Sequence, residues 1–160
     1  MRQVNPRVKL VVVGDGPQRA SMQARYPDGI FPGARYGSDL AAHYASADMF
    51  LFPSMTETYG NVTVEALASG LAVVAYRYAA AAQHIRDGEN GITVPYGDRE
   101  AFMRAAVGLT QNREGSARMG ERARASMVRV DWNQIVAQFE ATLVRLVAGH
   151  AGGERAHAYA

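Results

Sequence analysis

Short apolar runs alternate with helical segments along the first 94 residues, and this alternation constrains the fold more than any other feature of the chain. The first run, VKLVVV at residues 8–13, is rich in β-branched residues and ends in a Gly-Asp-Gly-Pro turn. Runs of this kind are typical of strands buried on both faces of a parallel sheet, with helices as crossovers. The pattern predicts an α/β fold with a doubly wound, Rossmann-like parallel sheet. The predicted strands are 8–13, 30–33, 49–53, 71–76 and 91–94, and the predicted helices are 18–25, 39–47, 61–69, 79–86, 99–112, 114–127 and 132–147.

The composition is that of an ordinary globular protein, with 48% hydrophobic and 20% charged residues. No apolar run approaches the ~20 residues that span a bilayer, and no charged-then-apolar leader opens the chain. Cysteine is absent, which excludes disulfides and thiol catalysis and allows a cytoplasmic location. We expect one domain over residues 1–147 and a flexible tail over 148–160, where Gly, Ala and His predominate.

Arginines cluster between residues 113 and 129, on a predicted helical surface. Two interpretations stay open for this cluster. It is either a solvated helix face or a face that lies near anionic lipid or a phosphate-bearing partner.

Two glutamates flank a Gly-Asn pair in the segment SMTETYGNVTVEALASG, at residues 54–70. Glu57 falls in a loop after the third apolar run, and Glu65 follows it with seven residues between them. We expect a helix to begin at Gly60-Asn61, where free N–H groups and the helix dipole favour an anion. Glu65 would then lie ~6 Å along the helix, where its carboxylate can accept hydrogen bonds from sugar hydroxyls. This arrangement predicts a nucleotide-sugar site.

Other sites explain parts of this pattern less well. Gly14 and Gly16 are followed by Arg19 rather than glycine, so the turn is an incomplete dinucleotide-binding motif and a tight turn is the simpler interpretation. The two acids alone would also suit a glycosidase pair or unrelated surface positions. No DxD-type pair or His cluster accompanies them, which disfavours a metal.

The segment PSMTETYGNVTVEALASGLAVVAYRYAAAAQHIRDGENGITVP resembles the C-terminal half of the retaining glycosyltransferases of family 4, which have the GT-B fold. VGDGP, FPG and YASADMFLFPS, which stand upstream, match the same family, and the resemblance covers residues 8–147. The resemblance implies that this chain is the donor-binding half of a retaining glycosyltransferase. Its donor would be a GDP- or UDP-sugar, and no metal or other cofactor is expected.

The resemblance also implies roles for individual residues. Glu65 would bind the ribose hydroxyls, and Glu57 would face the donor sugar as the catalytic residue. The remaining donor-binding residues would be Gly14 near the phosphates, Gly33, Ala34 and Arg35 beside the base, Thr58, Tyr59 and Gly60 at the sugar, and the amides of Asn61 and Val62 at the diphosphate.

Further implications concern partners and location. A glycan or lipid acceptor would bind through an N-terminal domain, with no nucleic acid involved. The protein would be cytoplasmic, at the inner face of the membrane.

The sequence departs from the family pattern in three places. The usual Gly-Gly pair is Ala79-Ala80, the usual glutamate after it is Gln83, and the usual Phe-Gly-Asn stretch is Tyr59-Gly60-Asn61. The strand and loop whose Arg and Lys stabilise the leaving diphosphate would precede this sequence, which therefore reads as a fragment lacking the first strand and the acceptor domain. Without that strand, the first and third predicted strands either pair directly or leave a gap that exposes both.

Two other functions remain open at this point. One is a non-catalytic binding or assembly module that joins a separately encoded partner through exposed strand edges. A sugar-phosphate epimerase shares the fold class, but it would need a second domain and fits the motif less well.

Overall fold

The computed structural model describes residues 1, 3–128 and 130–154. Strands and helices alternate as far as the fifth strand and are followed by three helices, so all predicted elements are present. In chain order they are β1 (Val11–Val13), α1 (Arg19–Arg25), β2 (Ile30–Gly33), α2 (Gly37–Ala45), β3 (Met49–Phe52), α3 (Asn61–Ala68), β4 (Ala72–Tyr76), α4 (Ala79–His84), β5 (Ile92–Val94), α5 (Arg99–Gln111), α6 (Arg113–Met127) and α7 (Trp132–Glu154).

Several predicted boundaries differ from the observed ones by two residues or more, among them those of β1, α2, α4 and α7. β1 begins at Val11 rather than at residue 8, because its partner β2 offers a ladder only from Val11↔Ile30 to Val13↔Gly33. Helix α2 spans Gly37–Ala45, two residues earlier at each end than the predicted 39–47. Asp39 falls in the first turn of α2, where its carboxylate lies 3.3 Å from the Arg35 Nε.

The five strands are parallel, as predicted, but they form two sheets. β1 pairs with β2, and β4 lies between β3 and β5. In the doubly wound fold, six strands lie side by side in the order 3-2-1-4-5-6. In that order β2 and β1 of this protein would take positions 3 and 2, and β3, β4 and β5 would take positions 4, 5 and 6, so that position 1 is empty. β1 and β3 each keep one edge without a strand partner within the described part of the chain. β1 and β3 do not pair, so the second of the two expected arrangements, a gap, is the one observed. It exposes β1, where Val11 is 46% and Val13 36% exposed, but the expectation that β3 is exposed as well is wrong, because Met49–Phe52 are half-buried.

The core surrounds β4, whose five residues are all buried. Val73 and Ala75 pack with α3, α4 and α6 on one face of the sheet. Ala72, Val74 and Tyr76 pack with α5 on the other face. Because successive strand residues point to opposite faces, this division confirms that helices cover both sides of the sheet.

Helix α7 forms part of a second compact unit, residues 128–160. It continues to Glu154, so the first part of the expected flexible tail is helical; residues 155–160 lie outside the described residues. The helix continues past residue 147 because no proline interrupts the chain there, and because extending a formed helix by one residue costs little free energy. Ile135, Val136 and Phe139 on this helix are exposed. Among the described helices, none has both the length and the apolarity needed to cross a bilayer.

Close packing between α6 and the turn after α3 yields a test of the fold. A Cβ added at Gly120 would lie inside contact distance of the Gly70 carbonyl oxygen and 3.0 Å from its carbon. Backbone cannot yield as a flexible side chain does, so we expect Gly120→Ala to lower the free energy of unfolding by about 1–3 kcal/mol. Chemical denaturation followed by circular dichroism measures this change.

The matched control is Gly108→Ala in α5, where an added Cβ meets nothing within 4 Å. Alanine at that exposed helical position should raise the free energy of unfolding by about 0.5–1 kcal/mol. Equal effects of the two substitutions would contradict the close contact between Gly120 and Gly70.

Candidate functional site

The loop between β3 and α3 ends at Gly60, and helix α3 begins at the next residue. Gly60 has φ 93° and is the N-cap residue of α3, with no side chain to cap the helix. This left-handed conformation favours glycine. The first N–H groups of α3, those of Asn61 and Val62, have no acceptor within the helix, and the positive end of the dipole lies there. The structure therefore forms the helix opening that the sequence predicted, and such an opening suits an anion.

Glu57 lies at a cavity in front of this helix opening. The Ser54 hydroxyl donates a 2.8 Å hydrogen bond to the Glu57 Oε1, which holds the carboxylate in place. About 200 Å³ of empty space, open to solvent, adjoins it. The polar residues that line this cavity are Ser54, Glu57, Tyr59, Thr63, Tyr76 and Tyr78.

Glu65 is exposed on α3 and has a partner that the sequence did not predict. The Tyr44 hydroxyl, on α2, donates a 3.1 Å hydrogen bond to the Glu65 Oε2. Burial, and then the charge and hydrogen bond of Glu65, raise the pKa of the Tyr44 hydroxyl above its ordinary value. Tyr44 and Glu65 are far apart in the chain, so no motif spacing could have revealed this pair.

Gly14 and Gly33 meet at the carboxyl ends of β1 and β2. The Gly14 N–H donates to the Gly33 carbonyl at 2.9 Å, and both glycines have positive φ, 138° and 88°. The Arg19 guanidinium crosses the same end and donates to the Phe31 carbonyl at 3.0 Å. Ala34 and Arg35 follow directly, so the four predicted residues of this region lie together.

The predicted site residues thus form three groups. They are the ends of β1 and β2, the loop and helix opening with Glu57, Thr58, Tyr59, Gly60, Asn61 and Val62, and the exposed Glu65. The cavity includes members of the second group alone. No hydrogen bond in the described residues joins the first group to the others. The reason is that β1 and β3 belong to different sheets, and no backbone ladder fixes the distance between them.

Helix α4 is tied to the same loop through Tyr59. The Ala80 N–H donates to the Tyr59 carbonyl at 2.7 Å. The Tyr59 hydroxyl and the His84 Nε2 form a 2.6 Å hydrogen bond, with the rings edge to face. Burial lowers the pKa of the His84 imidazole, which favours its neutral form. His84 therefore anchors the loop rather than standing as an isolated surface residue.

Three tyrosines that the sequence analysis did not single out lie beside the cavity. Tyr96 contacts both Tyr76 and Tyr78, with ring centroids 6.0 and 5.1 Å away, and its hydroxyl donates to the Met55 carbonyl at 2.6 Å. The buried Tyr78 hydroxyl has no hydrogen-bond partner in the described part of the structure. The three rings form an aromatic wall beside the cavity. The positions of the three tyrosines in the sequence do not predict that their rings contact one another.

Ala79 occupies the position where the family pattern has glycine, and its backbone keeps the glycine-like conformation. Its φ is 49°, and it is the one residue other than glycine with positive φ in the described ranges. A Cβ in this region costs roughly 1–2 kcal/mol. Ala79 is therefore a strained residue in the lining of the cavity.

Nowhere in the described ranges do three or more His, Asp or Glu side chains come together as a possible metal site.

The fold is that of the Rossmann-like half of GT-B glycosyltransferases. TarM superposes with a TM-score of 0.75 at 17% identity, over 88% of this chain and 29% of that chain. HepE from Anabaena, in complex with UDP-glucose, superposes with a TM-score of 0.73 at 25% identity, over 89% of this chain and 42% of that chain.

Sequence similarity identifies the family. Residues 1–112 match the family Glycosyl transferases group 1, and the chain belongs to it. A GDP-mannose-dependent alpha-mannosyltransferase from Mycobacterium tuberculosis is 37% identical over 139 residues, which are 84% of this chain and 36% of the relative. The chain thus spans about a third of the length of that relative.

Strain at Ala79 gives a second test. We expect Ala79→Gly to raise the free energy of unfolding by about 0.5–1 kcal/mol, because glycine adopts positive φ without a steric penalty. Urea denaturation of the variant and the unchanged protein measures the difference.

The matched control, Ala82→Gly, changes an exposed residue of the same helix. It should lower the free energy of unfolding by about 0.5–1 kcal/mol. Destabilisation by both glycines would show that Ala79 is not strained.

Proposed function

We propose that this chain supplies the donor-binding domain, residues 1–147, of a retaining glycosyltransferase. The enzyme would transfer a sugar from a GDP- or UDP-sugar to a glycan or lipid acceptor, which a domain outside these 160 residues would bind. The observation that supports this proposal best is the arrangement around α3. Glu57 lies at a cavity, Gly60 leaves the helix opening uncapped, and Glu65 is exposed about one turn further on.

Each part of that arrangement suits one part of a nucleotide sugar. The amides of Asn61 and Val62, at the positive end of α3, would receive the diphosphate. Glu65, ~6 Å further along the helix axis, would accept hydrogen bonds from the ribose. Glu57 would face the donor sugar in the cavity and act at the reacting carbon.

The other predicted residues would complete the donor site. Thr58, Tyr59 and Gly60 would contact the sugar together with Glu57. Gly14 would approach the phosphates, and Gly33, Ala34 and Arg35 would flank the base. One donor molecule can contact both the ends of β1 and β2 and the loop before α3 only if the β1–β2 sheet takes a defined position beside β3.

The names of the relatives support the two donor classes. GDP-mannose appears in the name of the relative from M. tuberculosis, and UDP-glucose is bound in the HepE structure. Without a metal, the charge that develops on the leaving diphosphate would be offset by the helix opening and by cationic side chains. The proposed location is the cytoplasm, at the inner face of the membrane.

Nucleotide binding tests the donor site. We expect GDP or UDP to bind weakly, and Glu65→Ala to lose roughly 1–3 kcal/mol of binding free energy with the ribose hydrogen bonds. Glu57→Ala should leave the affinity for the free nucleotide unchanged and weaken binding of the nucleotide sugar. Isothermal titration calorimetry with the nucleotide and the nucleotide sugar measures both effects.

Glu121→Ala, which removes an exposed carboxylate from α6, is the matched control and should alter neither affinity. If Glu65→Ala binds the nucleotide as tightly as the unchanged protein, Glu65 does not contact the ribose. If Glu57→Ala weakens both ligands equally, Glu57 does not face the sugar.

A second candidate is a binding or assembly module without catalysis. The observation that favours it is the pair of strands, β1 and β3, that each keep one unpaired edge. Such edges pair readily with a strand from another polypeptide. The partner would be separately encoded and would add a parallel strand between the two sheets.

One reconstitution experiment separates the two candidates. We expect no sugar transfer by these 160 residues alone, because they cover 36% of the M. tuberculosis relative. The proposed acceptor domain and the cations that would stabilise the leaving diphosphate would lie outside them. Adding the N-terminal half of the M. tuberculosis relative, extended through the first strand of its donor domain, should restore transfer. Chromatographic assay of radiolabelled product from GDP-mannose and UDP-glucose measures the activity.

The outcomes differ for the two candidates. A stable complex without transfer would favour the assembly module. Efficient transfer by the isolated chain would show that a catalytic group has been overlooked and that no second half is needed.

A further inference from the structure

Tyr44 makes the single side-chain hydrogen bond that joins α2 to α3 among the described residues. Its hydroxyl donates to the Glu65 Oε2 at 3.1 Å. Glu65 itself is exposed on α3, where a long carboxylate side chain samples several rotamers. The hydrogen bond restricts that freedom and gives the carboxylate a defined orientation.

The ring of Tyr44 provides a rigid support for this hydrogen bond. It packs on Phe50 with ring centroids 5.8 Å apart, and Phe50 stacks on Phe52 at 5.7 Å. All three rings pack against the core cluster that contains Ala66 and Leu67, whose exposure is 0%. Ala66 and Leu67 belong to the same helix as Glu65, so the ring of the donor and the helix that carries the acceptor pack in one hydrophobic cluster.

The hydrogen bond leaves Glu65 able to bind a ligand. An ionised carboxylate has about four acceptor positions on its two oxygens. Tyr44 occupies one position on Oε2, so Oε1 and the rest of Oε2 are available. Two adjacent hydroxyls of a ribose can therefore bind to the same carboxylate while Tyr44 remains in place.

We propose that Tyr44 is a positioning residue of the donor site, which orients Glu65 so that its carboxylate accepts hydrogen bonds from both ribose hydroxyls of a nucleoside diphosphate. Tyr44 would thereby contribute to the preference for ribonucleotides over deoxyribonucleotides. This inference rests on the proposed function, since it takes Glu65 as the ribose-binding residue.

The test compares GDP and UDP with their 2′-deoxy forms by isothermal titration calorimetry, with Tyr44→Phe as the variant. Phenylalanine retains the ring and its packing on Phe50, and it removes the hydroxyl alone. We expect the unchanged protein to bind the ribonucleotide roughly tenfold more tightly than the deoxynucleotide. Tyr44→Phe should weaken the ribonucleotide roughly three- to tenfold and leave the deoxynucleotide within about twofold.

Two further variants serve as controls. Tyr26→Phe removes an exposed hydroxyl from the β1–β2 region and should change neither affinity nor the ratio. In a Glu65→Gln background, Tyr44→Phe should have a clearly smaller effect, because the interaction that it supports has been altered.

The outcomes distinguish this proposal from the proposed function. If the unchanged protein prefers the ribonucleotide and Tyr44→Phe keeps the same ratio, Tyr44 has a packing role alone and the positioning role is wrong. If the unchanged protein binds the nucleotide without preferring ribose, the assignment of Glu65 fails and the role of Tyr44 with it. If no nucleotide binds, the donor-site proposal itself is overturned, together with this one.

Discussion

The pairing of β4 with strands on both sides is the interaction on which the rest of the structure depends. β4 forms parallel ladders with β3, from Met49↔Ala72 to Phe52↔Ala75, and with β5. Its residues are buried on both faces, so apolar helices are required on each side. The same pairing brings the carboxyl ends of β3 and β4 to one edge, where the loop with Glu57 meets the start of α4.

Helix α3 connects this core to the candidate site. Thr63, Ala66 and Leu67 point inward and are buried, which fixes the rotation of the helix about its axis. With a period of 3.6 residues, Glu65 must then point outward. The uncapped opening at Gly60 and the exposed carboxylate are thus consequences of how α3 packs, and Tyr44 completes the geometry from the neighbouring helix.

The β1–β2 region lacks a comparable core. Every buried hydrophobic side chain in the described part of the chain lies at Ala66 or beyond it. A two-stranded sheet is marginally stable by itself. In this protein it is supported by local contacts such as those of Arg19, and by the 3.0 Å hydrogen bond from the Asn5 amide to the Thr110 carbonyl. The part of the site that would contact the base is therefore held less firmly than the part that surrounds α3.

Local chemistry was sufficient to predict the elements of the fold and the loop around Gly60. β-Branched runs, turn glycines and helical periods act over a few residues, so the five strands and seven helices could be predicted from the sequence. The same holds for the helix that begins after Gly60 and for the place of Glu65 about one turn along it, which depend on a turn and on helix periodicity. The family motif added the expectation of the GT-B fold.

Contacts between distant residues could not be predicted in this way. Tyr44 meets Glu65 because α2 and α3 pack on the same face of the sheet, and Tyr59 meets His84 because α4 returns to the loop before α3. The division into two sheets is likewise a matter of which edges pair, since β-branched runs specify strands without specifying their neighbours. Propensity and periodicity are local properties, whereas packing joins residues that are far apart in the chain, and for that reason these features emerged with the folded structure.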